Sequence, residues 1–233
     1  MLTTHLYAAS NPSAESAAAP APGRTLVQEA VVLTVLNRGS GSTPAQLVLF
    51  KRNSAADADG EQPVLAWKVV RCAPGQRVHV VVPFSQQVGV FDPSGPHAGM
   101  EPASAGDLFA VAPSPAGAGP ALRKVDGADG TVGANMVGVR SRAVDRPLDV
   151  VLYKDGRPLC RHSRLQAGAL AMFEVLPYLH VADGSGLVEG ELIDATVVRA
   201  ATRISLLGLK SADLVWTATA AAPVFQLANQ RFS

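Results

Sequence analysis

A chain of 233 residues is long enough for one large domain or two of about 100 residues each, and either can bury a core without a disulfide staple. Twenty Lys and Arg against nineteen Asp and Glu leave a net charge of +1, which excludes a global field that would draw in nucleic acid or an anionic membrane. Aromatic residues at 5% also argue against a base-stacking platform.

The first residues, MLTTHLYAASNPSAESAAAPAPGR, lack the basic and apolar regions of a Sec-type signal peptide, and their Ala, Pro and Ser content predicts a disordered leader over residues 1–25. No apolar run approaches the length of a membrane-spanning helix, so the expectation is a soluble, cytoplasmic protein or one exported without a leader.

From residue 26 short Val- and Leu-rich runs alternate with Gly, Pro, Asp and Ser clusters, the pattern of an all-β sandwich. Strands are predicted at 26–37, 45–52, 64–71, 76–83 and 86–92, then at 107–112, 131–140, 148–154, 169–176 and 190–199. Three more, at 204–209, 213–219 and 223–228, close the chain. In QRVHVVVP, Val78, Val80 and Val82 share one face while Arg77, His79 and Val81 share the other. Little helix is expected beyond a turn in the Ala-rich stretches near 100 and 200.

An internal repeat sharpens this picture. AQLVLFK, ending in Phe50 and Lys51, matches LDVVLYK, ending in Tyr153 and Lys154, at an offset of 103. APGQRVHVVVP matches QAGALAMFEVLP, with Gly75 against Gly168 and Pro83 against Pro177, at offsets of 93 and 94. The polar stretch at 53–62 accounts for the shrinkage as an insertion confined to the first half, and Phe109 is aligned with Ile193. Two related antiparallel sandwich-like halves follow, 26–125 and 126–233, with a Pro- and Gly-rich seam at 113–130 and extra strands at the C-terminus.

Candidate chemistry is sparse. Asp57, Asp59 and Glu61 form one acidic loop and Asp126 and Asp129 another, but the twelfth position of an EF-hand count is Lys68 in the first and Val137 in the second, so both read as turns. The histidines His5, His79, His97, His162 and His180 lack zinc-site spacing, and Cys72 and Cys160 have no CxxC partner, so neither a metal nor a cofactor is expected. The two cysteines are read as buried free thiols. FDPSGPHAGMEP gathers Asp92, Ser94, His97 and Glu101, residue types suited to ligand binding or hydrolysis, although Asp-Pro-Ser-Gly is also turn chemistry and no GxSxG elbow exists. GSGSTP and GADGTVG share only glycines with phosphate loops. Trp67 and Trp216 lie within predicted strands, where core anchoring competes with sugar stacking.

At AWKVV (66–70), PFSQQVGVFD (83–92), GDLFAV and ISLLGLKSADLVWT, the chain resembles a group of uncharacterised bacterial two-half β-sandwich proteins over most of 28–229. The resemblance implies unity of fold and brings no activity or catalytic residue with it. The leading expectation is thus a structural, self-assembling or protein-interaction module, its partner another protein or itself. Alternatives are a carbohydrate-binding module using Asp92, Ser94, His97, Glu101 and Trp67, or a hydrolase with its site between the halves.

Overall fold

The computed structural model describes residues 29–39, 44–56, 62–92, 99–114, 119–126, 130–142, 146–218 and 223–233. The leader, most of both acidic loops, Ser94 and His97 lie outside these residues.

The fold is all-β. Among the described residues the strands are β1 (Ala30–Asn37), β2 (Ala45–Phe50), β3 (Lys68–Cys72), β4 (Arg77–Pro83), β5 (Gln86–Phe91), β6 (Glu101–Ala103), β7 (Leu108–Pro113) and β8 (Pro120–Lys124). They continue as β9 (Met136–Ser141), β10 (Leu148–Lys154), β11 (Arg157–Leu165), β12 (Leu170–Glu174), β13 (Tyr178–Asp183), β14 (Thr202–Ser205), β15 (Leu209–Ala218) and β16 (Pro223–Phe232), with one helix, α1 (Ala195–Ala200). No helix among the described residues is long and apolar enough to cross a membrane.

Alternation decides which side chains form the core. Val31, Leu33 and Val35 of β1 and Val80 and Val82 of β4 point inward and meet Leu47 and Leu49 of β2, Leu179 and Val181 of β13. The strands form four four-stranded sheets, ordered β16-β15-β1-β4, β14-β13-β2-β3, β12-β9-β7-β8 and β11-β10-β5-β6. The first two stack as one sandwich, with β1 on β3 and β16 on β13 and β14; the last two stack as another, with β5 on β8.

Shifting every label by eight strands converts the first sheet into the third and the fourth into the second. The repeat is therefore real, and it is interwoven. Each repeat gives four strands to each sandwich: sandwich one consists of 30–83 and 178–232, and sandwich two of 86–174. The stretch at 113–130 lies inside sandwich two, around β8, so the layers do not separate at residue 125. Pro and Gly mark loops of every kind, whereas the crossovers between sandwiches, Phe84-Ser85 and Val175-Leu176-Pro177, are short, and Phe84 and Val175 pack against the core.

Further differences from the sequence expectation have local causes. The strand expected at 190–199 is a turn followed by α1, because the Asp194 carboxylate accepts the Thr196 N–H at 2.7 Å and caps a helix. Ile193 thus belongs to the contact between α1 and the outer face of β2, and the counterpart of β7 is β15: β15 runs parallel to β1 as β7 does to β9. These two parallel pairs depart from a purely antiparallel plan, and strand direction across such sequence separations leaves no local signature. The insertion is as expected. β10 and β11 join through Asp155 and Gly156, at φ 54° and 67°, a two-residue turn that suits Asp-Gly, whereas β2 and β3 are separated by residues 51–67.

Candidate functional site

The residues with the most unusual surroundings are Lys51 and Lys154, the matched lysines of the repeat. β2 and β10 are buried along almost their whole length, because both faces of each strand are covered, and each run ends in a lysine that stays inside. Lys51 is 3% exposed and Lys154 7%. Lys51 Nζ donates to the Leu176 carbonyl at 2.6 Å, and Lys154 Nζ donates to the Pro83 carbonyl at 2.5 Å. Those carbonyls occupy equivalent points, Pro83 at the end of β4 where the first crossover begins and Leu176 within the second. The register places His180 opposite Phe50 and Gln87 opposite Tyr153, so counting back four residues pairs Leu176 with Pro83.

Both lysines line a cavity of about 490 Å³ at the junction of the sandwiches. Its walls are largely apolar, with Val82, Phe84, Leu159, Val175 and Leu179 among them, and Ser85, Gln86, Ser104 and the Tyr178 ring add polar points. The Gln86 Oε1 atom is buried and has no hydrogen-bond donor among the described residues. Among the described residues, no carboxylate lies within ion-pair distance of either ammonium. Burial lowers Lys51 to about 8, with Glu174 pulling the other way, and lowers Lys154 to about 8, with the nearby Lys51 charge lowering it further.

The two lysines differ in what flanks them. Lys51 Nζ lies 3.8 Å from the centroid of the Tyr178 ring, and the Arg203 guanidinium lies 3.9 Å from the same centroid. Two cations at such distances have room only on opposite faces, so the ring is a wall between the cavity and a smaller outer pocket. That outer pocket, of about 220 Å³, contains Arg52, Ser54, Glu174, His180 and Arg203. Tyr178 donates a short hydrogen bond to Glu174, and Ser54 donates to the same carboxylate at 2.7 Å. Burial together with the Arg52 and Arg203 charges pushes His180 down to about 4, so it is neutral at physiological pH.

The backbone of each lysine is anchored as well. Trp67 Nε1 donates to the Lys154 carbonyl at 2.9 Å, and the Cys160 thiol donates to the Lys51 carbonyl at 3.8 Å. Burial pushes the Cys160 thiol up to about 12, which leaves it unreactive. Cys72 and Cys160 are both buried free thiols.

Of the residues singled out in the sequence as a ligand site, Asp92, Glu101 and Trp67 are described, and each has its own surroundings. Asp92 is 2% exposed and pairs with Arg146 at 2.8 Å. Glu101 is exposed at the start of β6, and Ser94 and His97 lie outside the described residues. Trp67 is fully buried, so it presents no face to a sugar; its place is behind Lys154. Asp126 is exposed, while His79 Nδ1 and the Thr34 hydroxyl share a hydrogen bond of 3.1 Å on the outer face of β4. Among the described residues, no group of three or more His, Cys, Asp and Glu side chains is placed to hold a metal ion. The lysine pair was visible as a repeat marker, and its chemical signal was a cation ending an otherwise apolar strand in both copies.

Compared with protein-family models, curated proteins and solved structures, the chain matches none.

Proposed function

We propose that this protein binds a small organic acid with an apolar body in the cavity between its sandwiches. The observation that carries the reading is the pair of buried lysines lining a largely apolar cavity, with no carboxylate among the described residues at ion-pair distance from either. Holding a lysine charged there costs about 3 kcal/mol per group, the equivalent of a displacement from 10.5 to about 8. An entering carboxylate offsets that cost by supplying the missing counter-charge, and its apolar body replaces water against the walls. Gln86 Oε1 offers an acceptor to a ligand hydroxyl or N–H. A volume of about 490 Å³ falls in the range of ligand pockets, about 300–1,000 Å³. Titration calorimetry and thermal shift with straight-chain carboxylates from butanoate to decanoate test this. Saturable binding with a length optimum is expected, and absence of binding across the series overturns the reading.

Association between copies is a second reading, supported by one surface. β16 is an edge strand of ten residues, and Phe232 near its end is 65% exposed beside Leu207 at 72%. Light scattering across a wide concentration range should show a mass above the monomer that falls in Phe232→Ser. A constant monomer mass removes this reading.

A further inference from the structure

Resting on the organic-acid reading, we infer that Lys154 is an imine-forming lysine that captures the carbonyl of an oxo acid, while Lys51 remains the ammonium that holds the acid group. The surroundings divide these roles. Lys51 has the face of Tyr178 at 3.8 Å, and a cation gains there what a neutral amine does not. Glu174 also favours the charged form of Lys51. At the equivalent place beside Lys154 the residue is Ser85, and among the described residues no ring faces its ammonium. Lys154 is also buried and stands near the Lys51 charge, the two conditions that favour a free amine.

The hydrogen-bonding pattern suits the reaction. A neutral Lys154 amine donates one N–H to the Pro83 carbonyl, which leaves its lone pair directed away from that oxygen. The lone pair attacks the ligand carbonyl carbon and forms the C–N bond. The carbonyl π electrons move to oxygen, which takes a proton. The nitrogen gives up two protons in all, one to balance the proton that makes the carbinolamine hydroxyl and one to balance the proton that hydroxyl takes as the C–O bond breaks, so that one water leaves for each imine formed. Nothing is oxidised or reduced. Trp67 fixes the backbone of the reacting residue through the Lys154 carbonyl.

The test uses the full chain, 4-oxopentanoate as the carbonyl acid and cyanoborohydride, which reduces an imine to a stable secondary amine read by peptide mass mapping. At pH 7 the neutral fraction of Lys154 exceeds that of an ordinary lysine on the order of a hundredfold. A single adduct on Lys154 should therefore form well before labelling of the exposed Lys124 and Lys210. Hexanoate, which lacks the carbonyl, should slow it, and Lys154→Arg should abolish it. Labelling of Lys124 and Lys210 as fast as Lys154, or an adduct rate indifferent to hexanoate, overturns the inference. If hexanoate binds but no Lys154 adduct forms, imine chemistry is excluded and the organic-acid reading stands; if neither occurs, both fall. The hexanoate competition is carried out on the unmodified chain and so does not depend on a variant folding.

Discussion

The ends of β2 and β10 occupy equivalent positions in the two repeats, and they agree in one feature and differ in the rest. Each ends in a buried lysine that reaches across to a carbonyl at a crossover or at its start. Around that shared feature, Tyr178 stands opposite Ser85, His180 opposite Gln87, Glu174 opposite Val81 and Arg203 opposite Pro102. The scaffold is two-fold; the chemistry is not. A cavity on such an axis presents two cations of unlike character, which suits a ligand whose two ends differ.

The largest way to break the comparison is at Trp67, whose indole N–H holds the Lys154 carbonyl while its backbone N–H bonds the Leu49 carbonyl of β2. Trp67→Ala should cost about 3–5 kcal/mol through the cavity it leaves, measured by denaturant unfolding, with a greater loss of carbonyl capture than of simple acid binding. An equal loss of both would mean that Trp67 serves packing alone.

Titration separates the lysines next. Both are lowered from 10.5 to about 8, so between those values the unfolded chain binds more protons than the folded one. The lysines' contribution to stability therefore rises with pH through that window, by up to about 3 kcal/mol per lysine, and the Cys160 thiol, pushed from 9.0 up to about 12, opposes it in the upper part of the window. Lys154→Met and Lys51→Met should each remove one share of the rise in urea unfolding followed from pH 7 to 10. A flat profile in the unmodified chain would contradict buried, charged lysines.

Affinity follows. Lys51→Met should weaken hexanoate binding by about 2 kcal/mol, roughly thirtyfold in Kd by calorimetry. Its folding stability should change little, because the lost hydrogen bond to Leu176 is offset by removal of a desolvated charge. Smallest is Tyr178→Phe, which keeps the ring over Lys51 and removes the hydroxyl's hydrogen bonds to Glu174 and to the Arg52 carbonyl. About 1 kcal/mol of stability should go, with hexanoate affinity unchanged.

Much of this was legible in the chain. Alternation in QRVHVVVP sorted Val80 and Val82 to the core, and the match of Phe50-Lys51 with Tyr153-Lys154 located the true repeat. Strands β11 and β13 were missed because RPLCRHSRL and YLHVAD mix charge with apolar residues, an edge strand in one case and a strand lined by the outer pocket in the other. The exchange of strands between sandwiches was hidden because Leu33 and Ala212 become neighbours only through long-range pairing. The site was hidden for the same reason: Lys51 and Lys154 converge from strands whose alignment revealed likeness and not proximity. Asp92, by contrast, drew notice through its loop composition and is spent on Arg146.

The central claim is tested most directly by titrating hexanoate into the unmodified chain and into the Lys51→Met, Lys154→Met double variant by calorimetry, with far-ultraviolet circular dichroism as the check of folding. The account predicts saturable one-to-one binding in the first and none in the second, with the β-sheet signal retained. Equal binding in both, or none in the unmodified chain, would contradict it.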